Sequence, residues 1–147
     1  MLSCQGTPKW KVPRRNQSGI TMPSSPTKIA LLLIAHGSRR PEANADLEFI
    51  AAEMTTRGRF DVIQISYLEL AEPTIAEGGA KCVEQGATTV ILLPYFLSPG
   101  VHVREDMIEA RDELTTKFPH VVFKLAHHLG RHPMMLDIVE QRAMEVM

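Results

Sequence analysis

Only two cysteines, Cys4 and Cys82, occur in the 147 residues. By themselves they cannot build a zinc finger or an iron–sulfur cluster, and such sparse use fits a reducing cytosol. Long hydrophobic runs are also missing. The longest, Ile29 to Ala35, is far too short to span a bilayer, so no membrane partner is expected. Neither sign of charge dominates: the formal net charge is −1, which argues against a nucleic-acid binder working through bulk charge. The glycine fingerprint of dinucleotide-binding loops and the lysine of a P-loop are both absent. What remains is ordinary for a globular chain, with 44% hydrophobic and 22% charged residues, enough for one domain with a real core.

Acidic residues are missing from one stretch in particular. The first acid is Glu42, whereas Lys9, Lys11, Arg14 and Arg15 precede it among Pro, Ser and Thr. Residues 1–27 have no hydrophobic periodicity and no apolar signal-peptide core, so they read as a disordered extension. An organelle transit peptide and an upstream start codon both fit them. The folded domain is expected over residues 28–147.

From Lys28 onward, strand and helix patterns alternate. Ile29–Ala35 is a buried strand, and Pro41 opens a helix to about Arg57, with Leu47, Ile50, Ala51 and Met54 on one face and Gly58 as its stop. A strand over 61–68 precedes a helix opened by Pro73, with Ala76, Ala80 and Val83 inward and Gly86 after its end. Its glycine pair, Gly78-Gly79, weakens the helix but permits close packing on a sheet. Thr89–Pro94 is a third strand. An apolar loop over 95–103 leads to a helix from about Arg104 to Lys117, with Met107, Ile108, Arg111 and Leu114 on one stripe. Val121–Leu125 is a fourth strand, and Pro133 opens a last helix with Leu136, Val139 and Ala143 inward. The pattern is a (βα)4 α/β domain: a four-stranded parallel sheet with flanking helices and right-handed crossovers. Four strands are few for such a domain, which hints at two associated copies or at half of a larger fold.

Three residues stand out on this frame. His36, Glu69 and His102 are each 33 residues from the next, and each follows a strand. One βα unit takes about 30 residues, so the spacing delivers two imidazoles and a carboxylate to the carboxyl edge of one sheet, where open α/β sheets bind ligands. Imidazole ligates first-row metals and exchanges protons near neutral pH. A carboxylate among apolar neighbours, as Glu69 is between Leu68 and Leu70, needs a partner. Ser38 lies where a helix start gathers backbone N–H groups. Arg39, Arg40 and Arg104 become carboxylate clamps if the ligand is an acid. The loop containing Tyr95, Phe96 and Leu97 is apolar and asks for a flat ligand, a lid or a second subunit. His127, His128 and His132 read as loop residues, His120 as surface, and Cys82 as a small core residue.

The strings Ala35-His36-Gly37-Ser38-Arg39, Tyr67-Leu68-Glu69-Leu70, Gln85-Gly86-Ala87, the run from Pro94 to Val103, and Leu129-Gly130-Arg131-His132-Pro133 resemble the small sirohydrochlorin chelatases, the short class II enzymes that insert cobalt or iron. The resemblance runs from about Lys28 to the last residue. The Pro-x-Phe-Leu-x-x-Gly-x-His stretch is its specific part. It implies a chelatase-like, flavodoxin- or Rossmann-like single domain; His36 and His102 as the metal-binding, proton-accepting pair; Glu69 as the active-site acid; and a homodimer. It further implies sirohydrochlorin as partner, with Co2+ or Fe2+ as substrate rather than resident cofactor and nickel as a third candidate. The end product is then cobalamin or sirohaem. The cysteine-rich tail of plant-type members has no counterpart in the sequence, which favours a cytoplasmic over a plastid reading. Ser38, Arg39, Arg40, Tyr95, Phe96, Leu97 and Arg104 are the expected macrocycle contacts. Two other classes compete with this lyase: a non-catalytic metal-delivery module using the same three residues, and a phosphate or nucleotide binder at His36-Gly37-Ser38.

Overall fold

A computed structural model describes residues 26–147; residues 1–25, and with them nearly all of the expected extension over 1–27, lie outside the described residues. The elements run β1 (Ile29–Ala35), α1 (Pro41–Arg57), β2 (Val62–Tyr67), α2 (Ile75–Glu84), β3 (Thr89–Pro94), α3 (Val101–Lys117), β4 (Val122–Leu125) and α4 (Met134–Met144). All pairings are parallel, in the order β2-β1-β3-β4. The expected (βα)4 sheet is therefore present.

β1 is central because it can be buried on both faces. Its alternate residues Leu31 and Leu33 pack with Leu47 of α1, while Ala30, Leu32 and Ile34 pack with Ile75 and Cys82 of α2 and Met107 and Leu114 of α3. This follows from the period-two alternation of a strand combined with right-handed crossovers. The chain moves one way along the sheet through α1 and the other way through α2 and α3, which puts the helices on opposite faces. The reversal lies between β1 and β3, so the crevice at a topological switch point opens at their carboxyl ends.

α1 has the bounds expected from Pro41 and Gly58; Gly58 takes a left-handed φ of 65° and donates its N–H to Thr55 O at 3.1 Å. The helix openings elsewhere differ from the sequence reading. Thr74, not Pro73, starts α2. Its side chain accepts from Glu77 N while Glu77 Oε2 accepts from Thr74 N, a reciprocal capping box. That register turns Ile75, Gly78, Gly79 and Cys82 inward and leaves Ala76 exposed, which corrects the expected place of Ala76, while Val83 packs against the core as expected. Gly78 sits so close to β1 and β2 that a Cβ there would overlap Ser66 Oγ, and one at Gly79 would press on Leu114 of α3. Hydrophobic periodicity misses a face built from glycine because glycine has no side chain to score.

α3 opens at Val101, three residues before the expected start, after an extended Gly100. Its inward residues are Met107 and Leu114, with Val103 and Ala110 packed beside them; Ile108 is exposed. In α4 no residue is buried, and Leu136 and Val139 are 70% and 63% exposed. The expected inward face of α4 is therefore uncovered. Cys82 is fully buried, and burial pushes its thiol up to about 12, so it stays protonated and serves as packing rather than as a metal ligand. Among the described residues no helix is long and apolar enough to cross a membrane.

Candidate metal and macrocycle site

The sheet register builds the site. Ala35 pairs with Tyr67, and Ile34 with Pro94. One or two steps further along the same ladders, His36 comes beside the loop carrying Glu69 on one side and Phe96 on the other. The ladder continues past β2: Leu68 N–H donates to Ala35 O at 2.9 Å and Glu69 N–H to His36 O at 3.1 Å. His36 Nε2 lies 3.7 Å from Glu69 Oε1, and the Phe96 ring meets the imidazole edge-on with centroids 5.9 Å apart. The His36 and Glu69 side chains are 59% and 57% exposed. A half-solvated pair gains little stability from its charge, but both groups remain open to an incoming ligand.

Gly37 holds the two loops together. Its φ is +96°, and a Cβ would overlap the Glu69 carbonyl oxygen, so only glycine allows this approach. Ser38 is then fastened by a residue that hydrophobic pattern and motif spacing both passed over. Asn44, on the second turn of α1, accepts from Ser38 N at 3.0 Å through Oδ1 and donates to Ser38 O at 2.8 Å through Nδ2. Tyr67, buried beneath, donates its hydroxyl to Asn44 O at 3.2 Å. Desolvation, and secondarily the Glu48 carboxylate, raises the Tyr67 pKa, so the hydroxyl keeps the proton it donates. The available signal was an amide six residues beyond Ser38, near a helix start; without the turn geometry it has no distinctive meaning. Asn44→Ala removes two part-buried hydrogen bonds and should cost about 1–2 kcal/mol of stability, measurable as a lower urea midpoint at unchanged m-value.

The other expected contact residues divide. The Ser38 hydroxyl accepts from Arg40 N at 3.1 Å and so shapes the turn into α1. Arg39 and Arg40 are exposed beside it. Tyr95 packs on the α1 side of the sheet, while Phe96 turns to the other side, against His36 and the α3 cluster. Leu97 is exposed, and Arg104 lies on the first turns of α3. The loop between β3 and α3 is tied to the one after β4: Leu129 N–H donates to Phe96 O at 3.0 Å, and Gly130 approaches so closely that a Cβ would overlap Leu97 O.

His102 is not in a loop, as the sequence reading had it, but in the first turn of α3. Its side chain is 97% exposed and touches Glu105, Nδ1 to Oε2 at 3.9 Å. Among the described residues no three His, Cys, Asp or Glu side chains are grouped closely enough to hold a metal ion. The structure thus brings His36 and Glu69 together and leaves His102 facing solvent. His132 Nδ1 accepts from Met134 N at 3.2 Å, a local role at the start of α4.

Comparison with known proteins identifies the family of the chain. Residues 30–146 match the CbiX family model. The chain is 32% identical to the chloroplastic sirohydrochlorin ferrochelatase of Arabidopsis thaliana over 76% of its own length and 50% of that protein's. It is 34% identical to the sirohydrochlorin cobaltochelatase of Methanococcoides burtonii, covering 82% of this chain and 98% of that one. The sirohydrochlorin chelatase SirB of Bacillus subtilis subspecies spizizenii, solved in complex with cobalt, superposes with a TM-score of 0.75 at 28% identity, over 82% of this chain and 51% of that one. The chain thus spans about half the length of the plant and Bacillus proteins and nearly the whole of the archaeal one.

Proposed function

The chain belongs to the CbiX family, and from that premise we propose that it is a sirohydrochlorin chelatase, a lyase-class enzyme that inserts Co2+ or Fe2+ into the tetrapyrrole for cobalamin or sirohaem. The observation that carries the reading is the His36–Glu69 pair, 3.7 Å apart and half open to solvent, beside the Phe96 ring at the carboxyl ends of β1 and β3. A metal-delivery module needs the pair but has no use for an apolar rim with arginines near it.

Insertion exchanges the two pyrrole N–H protons of the macrocycle for one divalent ion. His36 and His102 would hold the ion at the open face of the ring, and their imidazoles would then accept the two protons and pass them to water. Glu69, against His36 Nε2, would orient that imidazole and offset the ion's charge. The ion is a substrate in transit, so a tight preformed cage would oppose release into the ring. An exposed His102 on the first turn of α3 agrees with that requirement. The phenyl ring of Phe96 and the exposed Leu97 would cover the macrocycle, and Arg39, Arg40 and Arg104 would meet its carboxylates. In His36-Gly37-Ser38 the Ser38 N–H and carbonyl are engaged by Asn44 and the His36 carbonyl by Glu69, which speaks against a phosphate loop there.

We propose further that the working form is a cytoplasmic homodimer. Met134, Leu136, Ile138 and Val139 form an exposed apolar stretch on α4, and the cobalt-bound Bacillus protein has about twice the matched length; a second copy would supply the other half. Sedimentation should give a dimer, and Leu136→Glu with Val139→Glu should give a monomer.

The test is anaerobic mixing of the protein with sirohydrochlorin and Co2+ or Fe2+, followed by absorbance. The expected result is a metal-dependent spectral change well above the protein-free rate; Ni2+ run in parallel ranks the third candidate. Metal bound by the protein without any acceleration would favour the delivery module. Glu69→Gln should slow insertion roughly tenfold to a hundredfold with macrocycle binding intact; lost macrocycle binding would make Glu69 structural instead.

A further inference from the structure

Beside the His36–Glu69 pair, on the far side of Phe96, lies a separate cavity of about 140 Å3. Its walls are mostly apolar, with Phe96, Leu125 and Ala126 among them, and three polar side chains border it: Arg104 from α3, and His127 and His128 from the loop after β4. Among the described residues none of these three has a hydrogen-bond or ion-pair partner. A hollow of this size exceeds the roughly 10–15 Å3 that one water needs, and it has room for a short alkyl arm. Methylene groups favour the apolar wall. A guanidinium fork, with two imidazoles that can donate, favours a carboxylate at the arm's end. Among the described residues no carboxylate lines the cavity, so none of them competes there for the arginine.

We infer that this cavity, bordered by Arg104, His127 and His128, is a subsite for one carboxylate-ended side arm of the macrocycle. The inference rests on the chelatase reading and deepens it. Phe96 is shared by the cavity and the His36 ring contact, so a macrocycle lying over His36 would drop a peripheral arm past Phe96 into the hollow. Anchoring one arm orients the ring relative to His36 and selects macrocycles whose arms end in acids over those with neutral arms.

Two variants test this through different properties of the cavity. Arg104→Met removes the charge and keeps the bulk; Ala126→Leu fills the hollow and leaves the charge. Binding of an octacarboxylic porphyrin, followed by fluorescence, should weaken roughly tenfold in each, and KM for sirohydrochlorin should rise by a similar factor, the loss falling on KM rather than kcat. Co2+ titration without macrocycle should be unchanged. The octamethyl ester of the same porphyrin should bind the wild type weakly and lose nothing further in Arg104→Met. Weakening by Arg104→Met alone would show a surface charge acting outside the cavity and would overturn the subsite. If the wild type inserts metal and both variants match it, the subsite falls while the chelatase reading stands; if the wild type neither binds the macrocycle nor inserts metal, the chelatase reading itself fails.

Discussion

His102→Ala is expected to lower metal insertion by a factor of about 10²–10⁴, the range of a lost acid–base group, with no loss of stability. The two halves of that expectation come from one observation. The imidazole is 97% exposed and among the described residues its only ion-pair contact is Glu105, at 3.9 Å, so the fold does not depend on it. Alanine is moreover a better helix former than histidine in the first turn of α3. Any loss of rate therefore reports chemistry and not unfolding. Initial rates of Co2+ insertion, measured beside a urea unfolding curve, separate the two quantities. Retained turnover would remove His102 from the mechanism and leave His36 with Glu69 as the sole working pair. A lost fold would contradict the exposed position of the side chain.

Gly37→Ala has the second large effect, through the opposite route. A methyl group there would overlap the Glu69 carbonyl oxygen, and the φ of +96° is unfavourable for any L-residue with a Cβ. Backbone strain of about 1–3 kcal/mol adds to loss of the Glu69 N–H to His36 O hydrogen bond, worth about 1 kcal/mol. The protein should lose roughly 2–4 kcal/mol of stability, a large share of what a domain of this size has. The molecules that remain folded should insert metal slowly, because relief of the overlap moves Glu69 away from His36. Denaturation and rate measurements on the same preparation check both parts. Wild-type stability would mean that the two loops are not packed as described. Wild-type rate in a destabilised protein would mean that the His36–Glu69 distance does not matter to the reaction.

These two residues also mark the boundary between what was legible in the sequence and what was not. The strands were legible because β1 and β3 are continuous apolar runs, the mark of strands buried on both faces. The bounds of α1 were legible because a proline at its start and a glycine after its end act within one turn. The inward face of α2 was legible only in part, at Val83 but not at Ala76, because two of its buried positions are glycines, Gly78 and Gly79. α3 was read as starting too late because Gly100-Val101-His102 looks like loop until the helix is seen to run back to Val101. α4 was read as a packed helix from its apolar period alone, yet the same period suits a face awaiting a second surface.

By itself, the sequence determined the order of the elements, the parallel sheet and the even placing of His36, Glu69 and His102 after successive strands. Those depend on short-range signals: periodicity, caps and the length of a βα unit. Tertiary structure alone decided which side chains meet. Parallel register carries Glu69 and Phe96 to His36, the left-handed Gly37 lets two loops touch, and Asn44 reaches back from α1 to fasten Ser38. Contacts of that kind join residues many positions apart. Their distances depend on how the whole sheet is laddered and covered, so no local pattern can encode them.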